Sequence, residues 1–186
     1  MAGINQVDYD TRGFNIRVAA YPCTGTFSKG ELLIWNGSAL TSITAATNYA
    51  PTTNTTRIAG KVLHDSTYIN PAGSSTAFTY AQIEIWQPGT LFPMPLYSAT
   101  PASAVPALAQ LAVAYEVRRS TAVNSVSVPQ INLDATTNVA ARVSDFVPSK
   151  ETLDIPNWPV NITGGAQYSL AFAEPVGASC AFSGAR

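Results

Sequence analysis

Charge is what this chain has least of. Only 11% of its 186 residues are Asp, Glu, Lys or Arg, against roughly a quarter in an average soluble protein. Its polar surface must therefore be built from Ser, Thr, Asn and Gln, a weakly solvated surface that suits a protein packed against other subunits. The ten Lys and Arg are scattered, Arg118–Arg119 apart, and the formal net charge is −1. Affinity for nucleic acid comes mainly from clustered cations that release counterions from phosphates, so no direct nucleic-acid partner is expected.

Histidine and cysteine are almost as scarce. His64 is the single histidine, so a Ser-His-Asp or Cys-His mechanism would have to use it. No G-x-S-x-G elbow is present and neither Cys23 nor Cys180 lies in a nucleophile context. One imidazole with two remote thiols cannot supply about four donors to zinc, and no D-x-D-x-D spacing offers a calcium loop. No phosphate loop ends in Gly-Lys-Ser/Thr. Catalysis, a cofactor and a metal are all unexpected, His64 reads as a loop or interface residue, and the two cysteines read as buried free thiols. A basic leader with an apolar run behind it is missing, as is any stretch of about 18 apolar residues, so a soluble protein made in the cytosol is expected. The sequons at Asn36, Asn54 and Asn161 are chance matches in a Thr-rich chain.

What is present is strand character punctuated by turns. Glu31 to Trp35 is an extended run, followed by Asn36-Gly37 and a second run through Ile43. Asn-Gly accepts positive φ at both central positions of a type I′ turn, which predicts a two-residue hairpin. Leu32 to Trp35 is apolar on both faces and so predicts a strand covered on both sides. Arg57 to Leu63 and Thr76 to Trp86 supply further strands. Gly60 marks a bulge or close backbone approach, and a change of parity between Tyr80 and Ile83 predicts a second bulge near Ala81-Gln82. The loops 44–56 and 64–75 read as surface connections. Prolines 88, 93, 95, 101 and 106 argue for an edge strand or loop there, because proline lacks the N–H of a central ladder. Residues 103–118 fit either helix or strand; a short helical turn to about Ala109 and then a strand is the expectation. Strands are also expected around Pro129, from Val139 to Val147 and from Gln167 to Ala173.

The chain divides into an N-terminal arm, 1–15, a β domain, 16–148, and an irregular C-terminal extension packed on it, 149–186. The arm sustains no period, yet Ile4, Val7, Tyr9 and Phe14 are spaced by two to five residues around Arg12. An extended segment of that kind can set side chains into successive pockets of a partner while its backbone pairs with an exposed edge. These five residues are the candidate partner-binding set.

The arrangement Gly30-Glu31-Leu32-Leu33, Ile58-Ala59-Gly60 and Pro88-Gly89 resembles that of tailed-bacteriophage capsid decoration (cement) proteins, with Lys61 where a Val is commoner. It covers a third to a half of the chain. The resemblance implies an all-β fold, a compact antiparallel β-barrel or β-tulip-like domain, which binds the outer surface of an icosahedral head at junctions of the major capsid protein and stabilises it against internal pressure. It further implies a homo-oligomer, a trimer before a dimer, located on the virion exterior. A phage tail, fibre or baseplate component is the alternative of the same class. A glycan-binding β-sandwich, with Trp35, Trp86 or Trp158 as stacking platforms, is the alternative from another.

Overall fold

The computed structural model describes residues 11–13, 16–43, 48–49, 57–100, 103–104, 107–120, 128–146 and 170–182. In chain order the strands are β1 Arg12–Gly13, β2 Val18–Pro22, β3 Leu32–Trp35, β4 Leu40–Thr41, β5 Ile58–Val62, β6 Thr67–Ile69, β7 Ser75–Ala77 and β8 Tyr80–Ile85. They continue with β9 Thr90–Tyr97, β10 Ala114–Arg119, β11 Pro129–Asn132, β12 Ala141–Phe146 and β13 Leu170–Pro175. The only helices among the described residues are short 3-10 turns, so the molecule is all-β.

Five strands close into a barrel in the order β9-β11-β10-β12-β13, with β13 pairing back onto β9. Every pairing in the ring is antiparallel except that of β11 with β9. A second five-stranded sheet runs β2-β8-β5-β3-β4. It curls until Cys23, just past β2, bridges Leu40, and the Thr24 N–H donates to the Leu40 carbonyl at 2.9 Å. The strands β6 and β7 form a separate two-stranded ribbon.

Alternation of side chains gives each layer its own core. Phe27, Leu33, Leu40, Val62, Ala81 and Ile83 fill the inside of the curled sheet. Leu32, Ile34 and Ile58, on the opposite face of β3 and β5, join Trp86, Phe92, Met94, Leu96, Val117 and Ile131 in a second core shared with the barrel. β3 is thus covered on both faces, as its double-sided apolar pattern predicts. Three further ties cross between the layers. Arg119 of β10 reaches Glu31 through Nε at 3.1 Å and through Nη2, and Glu31 is 1% exposed. The Tyr49 hydroxyl donates to the Leu32 carbonyl at 2.6 Å. Beyond β13 the chain returns to the first sheet: the Ala181 N–H donates to the Ile58 carbonyl at 2.9 Å, and Phe182 stacks on Tyr21 at 4.5 Å.

Several expectations need correction. Residues 36–37 do sit in a hairpin, but the loop has four residues, since Trp35 pairs with Leu40. Asn36 stays out of the left-handed region while Gly37 has φ +100°. The Asn36 side chain makes the turn instead, its Oδ1 accepting the N–H groups of Ser38 at 3.0 Å and Ala39 at 2.9 Å, an Asx arrangement that competes with the two-residue turn. No bulge lies at Ala81-Gln82: β8 pairs with β2 in unbroken register, and Tyr80 faces solvent. The register shift falls between Leu33 and Ile34 of β3, opposite β5. Gly60 does mark a close approach, since a Cβ there would meet the Glu84 carbonyl oxygen at 2.2 Å.

Of the five prolines expected in an edge strand or loop, Pro88 does sit in a turn, Pro101 and Pro106 lie outside the described residues, and Pro93 and Pro95 lie instead in β9, the longest described strand and a member of the barrel. Over Phe92 to Pro95 its described neighbour is β13, while on the other side β1 ends at Leu91 and β11 begins at Leu96. The stretch holding Pro93 and Pro95 therefore has a side on which a missing N–H breaks no ladder. Pro129 opens β11 instead of interrupting it. Leu170–Pro175, within the stretch set apart as an extension, lies between β12 and β9 as a member of the barrel. At 103–118 the observed 3-10 turn Leu108–Gln110 and strand β10 follow the expected order.

Candidate interaction surface

The ionisable groups of the described residues are largely occupied with holding the fold. The Gln82 N–H donates to His64 Nε2 at 3.0 Å, which leaves the ring proton on Nδ1, 2.8 Å from the Asp65 carbonyl. Phe78 lies against the same ring at 4.4 Å. With both nitrogens engaged, His64 has no free lone pair for proton abstraction. Glu31 serves Arg119 and Ser42, and Glu84 serves Lys61 at 3.0 Å and the Thr11 hydroxyl. Glu116 accepts from the Asn48 side chain and from the Asn138 N–H at 2.9 Å. No group of three His, Cys, Asp or Glu side chains that could hold a metal occurs among the described residues. Cys23 and Cys180 are free and buried. Burial pushes both thiols up, Cys180 to about 11, so neither is a ready thiolate.

The tryptophans separate by environment. Trp86 is 0% exposed and donates from Nε1 to Ser179 Oγ at 2.8 Å, so it offers no stacking face to a sugar. Trp35 is half-buried beside Tyr21 and Phe182. Trp158 lies outside the described residues.

One apolar patch meets solvent on the first sheet. In the register of β2 with β8, Val18 faces Glu84, Ala20 faces Gln82 and Pro22 faces Tyr80, and Val18 and Tyr80 are 56% and 58% exposed. The same face continues through Lys61, opposite Glu84, to Leu32, where the barrel covers it. Among the described residues, nothing covers its β2–β8 half. β2 also ends the sheet, and residues 18–28 contain no Asp, Glu, Lys, Arg or His to guard that edge.

Of the five arm residues proposed as partner-binding, only Arg12 is described. It lies in β1, paired with Leu91 of its own chain, with its guanidinium 4.4 Å from the centroid of Phe172. Ile4, Val7, Tyr9 and Phe14 lie outside the described residues. Next to Arg12, the Thr11 hydroxyl donates to the Glu84 carboxylate, so the arm meets the body at the rim of the open β2–β8 face. Sequence reasoning missed that face because a bulge between Tyr80 and Ile83 would have brought Tyr80 onto the same side as Ile83. Simple alternation through Ala81, Ile83 and Ile85 would have turned Tyr80 outward.

The comparisons with known proteins name no relative: no family model matches this chain, no curated protein matches it, and no solved structure does.

Proposed function

We propose that this chain is a virion structural protein that binds the outer surface of an icosahedral capsid and stabilises it by adhesion, without turnover. The observation that carries the reading is the open β2–β8 face. Val18, Ala20, Pro22 and Tyr80 form an exposed apolar surface on the end strand β2 and its neighbour β8. Exposed apolar patches beside unguarded edges suit partners that add a strand and bury side chains. The arm enters at the rim of this face, and Ile4, Val7, Tyr9 and Phe14, with Arg12 at the junction, are the residues to anchor it on the major capsid protein. The likeness of residues 30–33 and 58–60 to cement proteins supports the same reading.

Co-sedimentation with heads assembled from the tailed-phage major capsid protein of the same source tests it. The full chain is expected to pellet with the heads. Val18→Lys combined with Tyr80→Lys is expected to stay in the supernatant while keeping the wild-type melting temperature, since both side chains are more than half exposed. A wild-type chain that does not pellet, or a variant that pellets equally well, would overturn the proposal.

A further inference from the structure

The ribbon of β6 and β7 is bare on both faces, with Thr76 its one half-buried residue, and each strand pairs only with the other among the described residues. Two strands alone are marginal in water, yet this pair is built to keep its shape. Asn70 Oδ1 accepts the N–H groups of Ala72 and Ser74, both at 3.0 Å, and Gly73 takes φ +81°. At the base, the Phe78 N–H donates to the Ser66 carbonyl and the Ser66 N–H to that of Phe27, both at 2.9 Å. The Tyr68 ring leans on Phe78 at 4.9 Å. A preorganised strand pair of this kind spends little entropy when a third strand is added.

The chemistry of the third strand follows from the charge. Residues 66–83 contain no Asp, Glu, Lys, Arg or His, and Ile69 is 78% exposed. A charged partner would lose its hydration here with nothing opposite to replace it. The fitting partner is uncharged and apolar, with a free strand edge, and the ribbon itself has all three properties. We infer that β6 pairs antiparallel with β6 of a second copy of this chain across a twofold axis, making a four-stranded sheet with Tyr68 and Ile69 at its centre. β6 is chosen over β7 because it carries the bulky side chains, where Ser75, Thr76 and Ala77 are small. A contact of one surface with itself closes at two copies, so the expected particle is a dimer and not the trimer implied by the family likeness. The inference does not depend on capsid binding.

Sedimentation equilibrium of the full chain, over a dilution series in the micromolar range, tests it. The wild type is expected to fit a monomer–dimer equilibrium. Ile69→Lys is expected to raise the dissociation constant by about tenfold or more, with an unchanged circular dichroism spectrum. Leu108→Lys, at an 84% exposed apolar position on a 3-10 turn, is expected to leave the constant unchanged. A wild type that is monomeric throughout, a trimeric mass, or a dimer indifferent to Ile69→Lys would each overturn the inference. Pelleting with heads, run on the same samples, keeps the two proposals apart. A monomeric wild type that still coats heads removes the dimer and leaves the capsid reading standing, and a dimer that does not pellet does the reverse.

Discussion

Gly60 and Gly37 show how differently two glycines can matter. A Cβ on Gly60 would lie 2.2 Å from the Glu84 carbonyl oxygen and 3.0 Å from Ile83 Cδ1, so β8 itself would have to move. Gly60→Ala is expected to cost about 3 kcal/mol. Nothing lies within 4 Å of a Cβ at Gly37, and only its φ of +100° resists a side chain. Gly37→Ala should cost about 1 kcal/mol, and urea midpoints of the two variants check the ordering. Titration of buried groups gives a second residue-scale prediction. Burial holds Cys180 at about 11, and burial with the neighbouring Glu31 charge pushes Tyr49 well above its ordinary value. In the unfolded chain these groups ionise near 9 and 10, so the unfolded state releases its protons first as pH rises. Stability is therefore complete below pH 9 and falls between 9 and 11 by up to about 1.4 kcal/mol per pH unit for Cys180, with Tyr49 adding to the decline above 10. Melting temperatures across that range should fall steeply for the wild type and less steeply for Tyr49→Phe.

Two elements are held by contacts that single substitutions can remove. β10 is tied to the first sheet through Arg119, whose Nη1 also reaches the Ile43 carbonyl at 2.5 Å. Arg119→Met leaves Glu31 as an uncompensated charge at 1% exposure, and breaking such a pair from one side is expected to cost about 3–5 kcal/mol by chemical denaturation. The returning segment 177–182 is the other. Ser179 accepts from Trp86 and lies 2.8 Å from the Ala140 carbonyl, which joins β8's end to the barrel. Ser179→Ala orphans the buried indole N–H, for a cost of about 1–3 kcal/mol. Phe182→Ala strips the cover from Tyr21 and Trp35, and each lost aromatic pair is worth about 0.5–1.5 kcal/mol. An increase in Trp fluorescence quenching by acrylamide in the second variant would report the uncovered Trp35.

For the whole molecule the shared core sets the unfolding behaviour. Leu32, Ile34 and Ile58 of the first sheet lie in one cluster with Phe92, Val117 and Ile131 of the barrel. Neither layer can open without exposing apolar surface of the other. Calorimetry should therefore show one transition whose van't Hoff and calorimetric enthalpies agree. Two resolved transitions would mean that the layers are separate folding units. Residues 86–89 join the two five-stranded layers, and the second is completed only by β13.

The sequence by itself determined the all-β class, the double-sided burial of Leu32 to Ile34, the close approach at Gly60 and the free thiols. Each of these follows from composition or from period-two alternation, which act over a few neighbouring residues. Tertiary structure alone decided the rest. The barrel position of Pro93 and Pro95 depends on where β1 ends, about 80 residues before, and where β11 begins, about 35 after, and no local pattern encodes that. The same holds for Arg119 meeting Glu31 and for the insertion of β13 between β12 and β9, contacts between segments far apart in sequence. The open face of β2 and β8 was hidden for a related reason. Whether Tyr80 is core or surface depends on how far the barrel reaches across the sheet, and the barrel stops at β5 and β3.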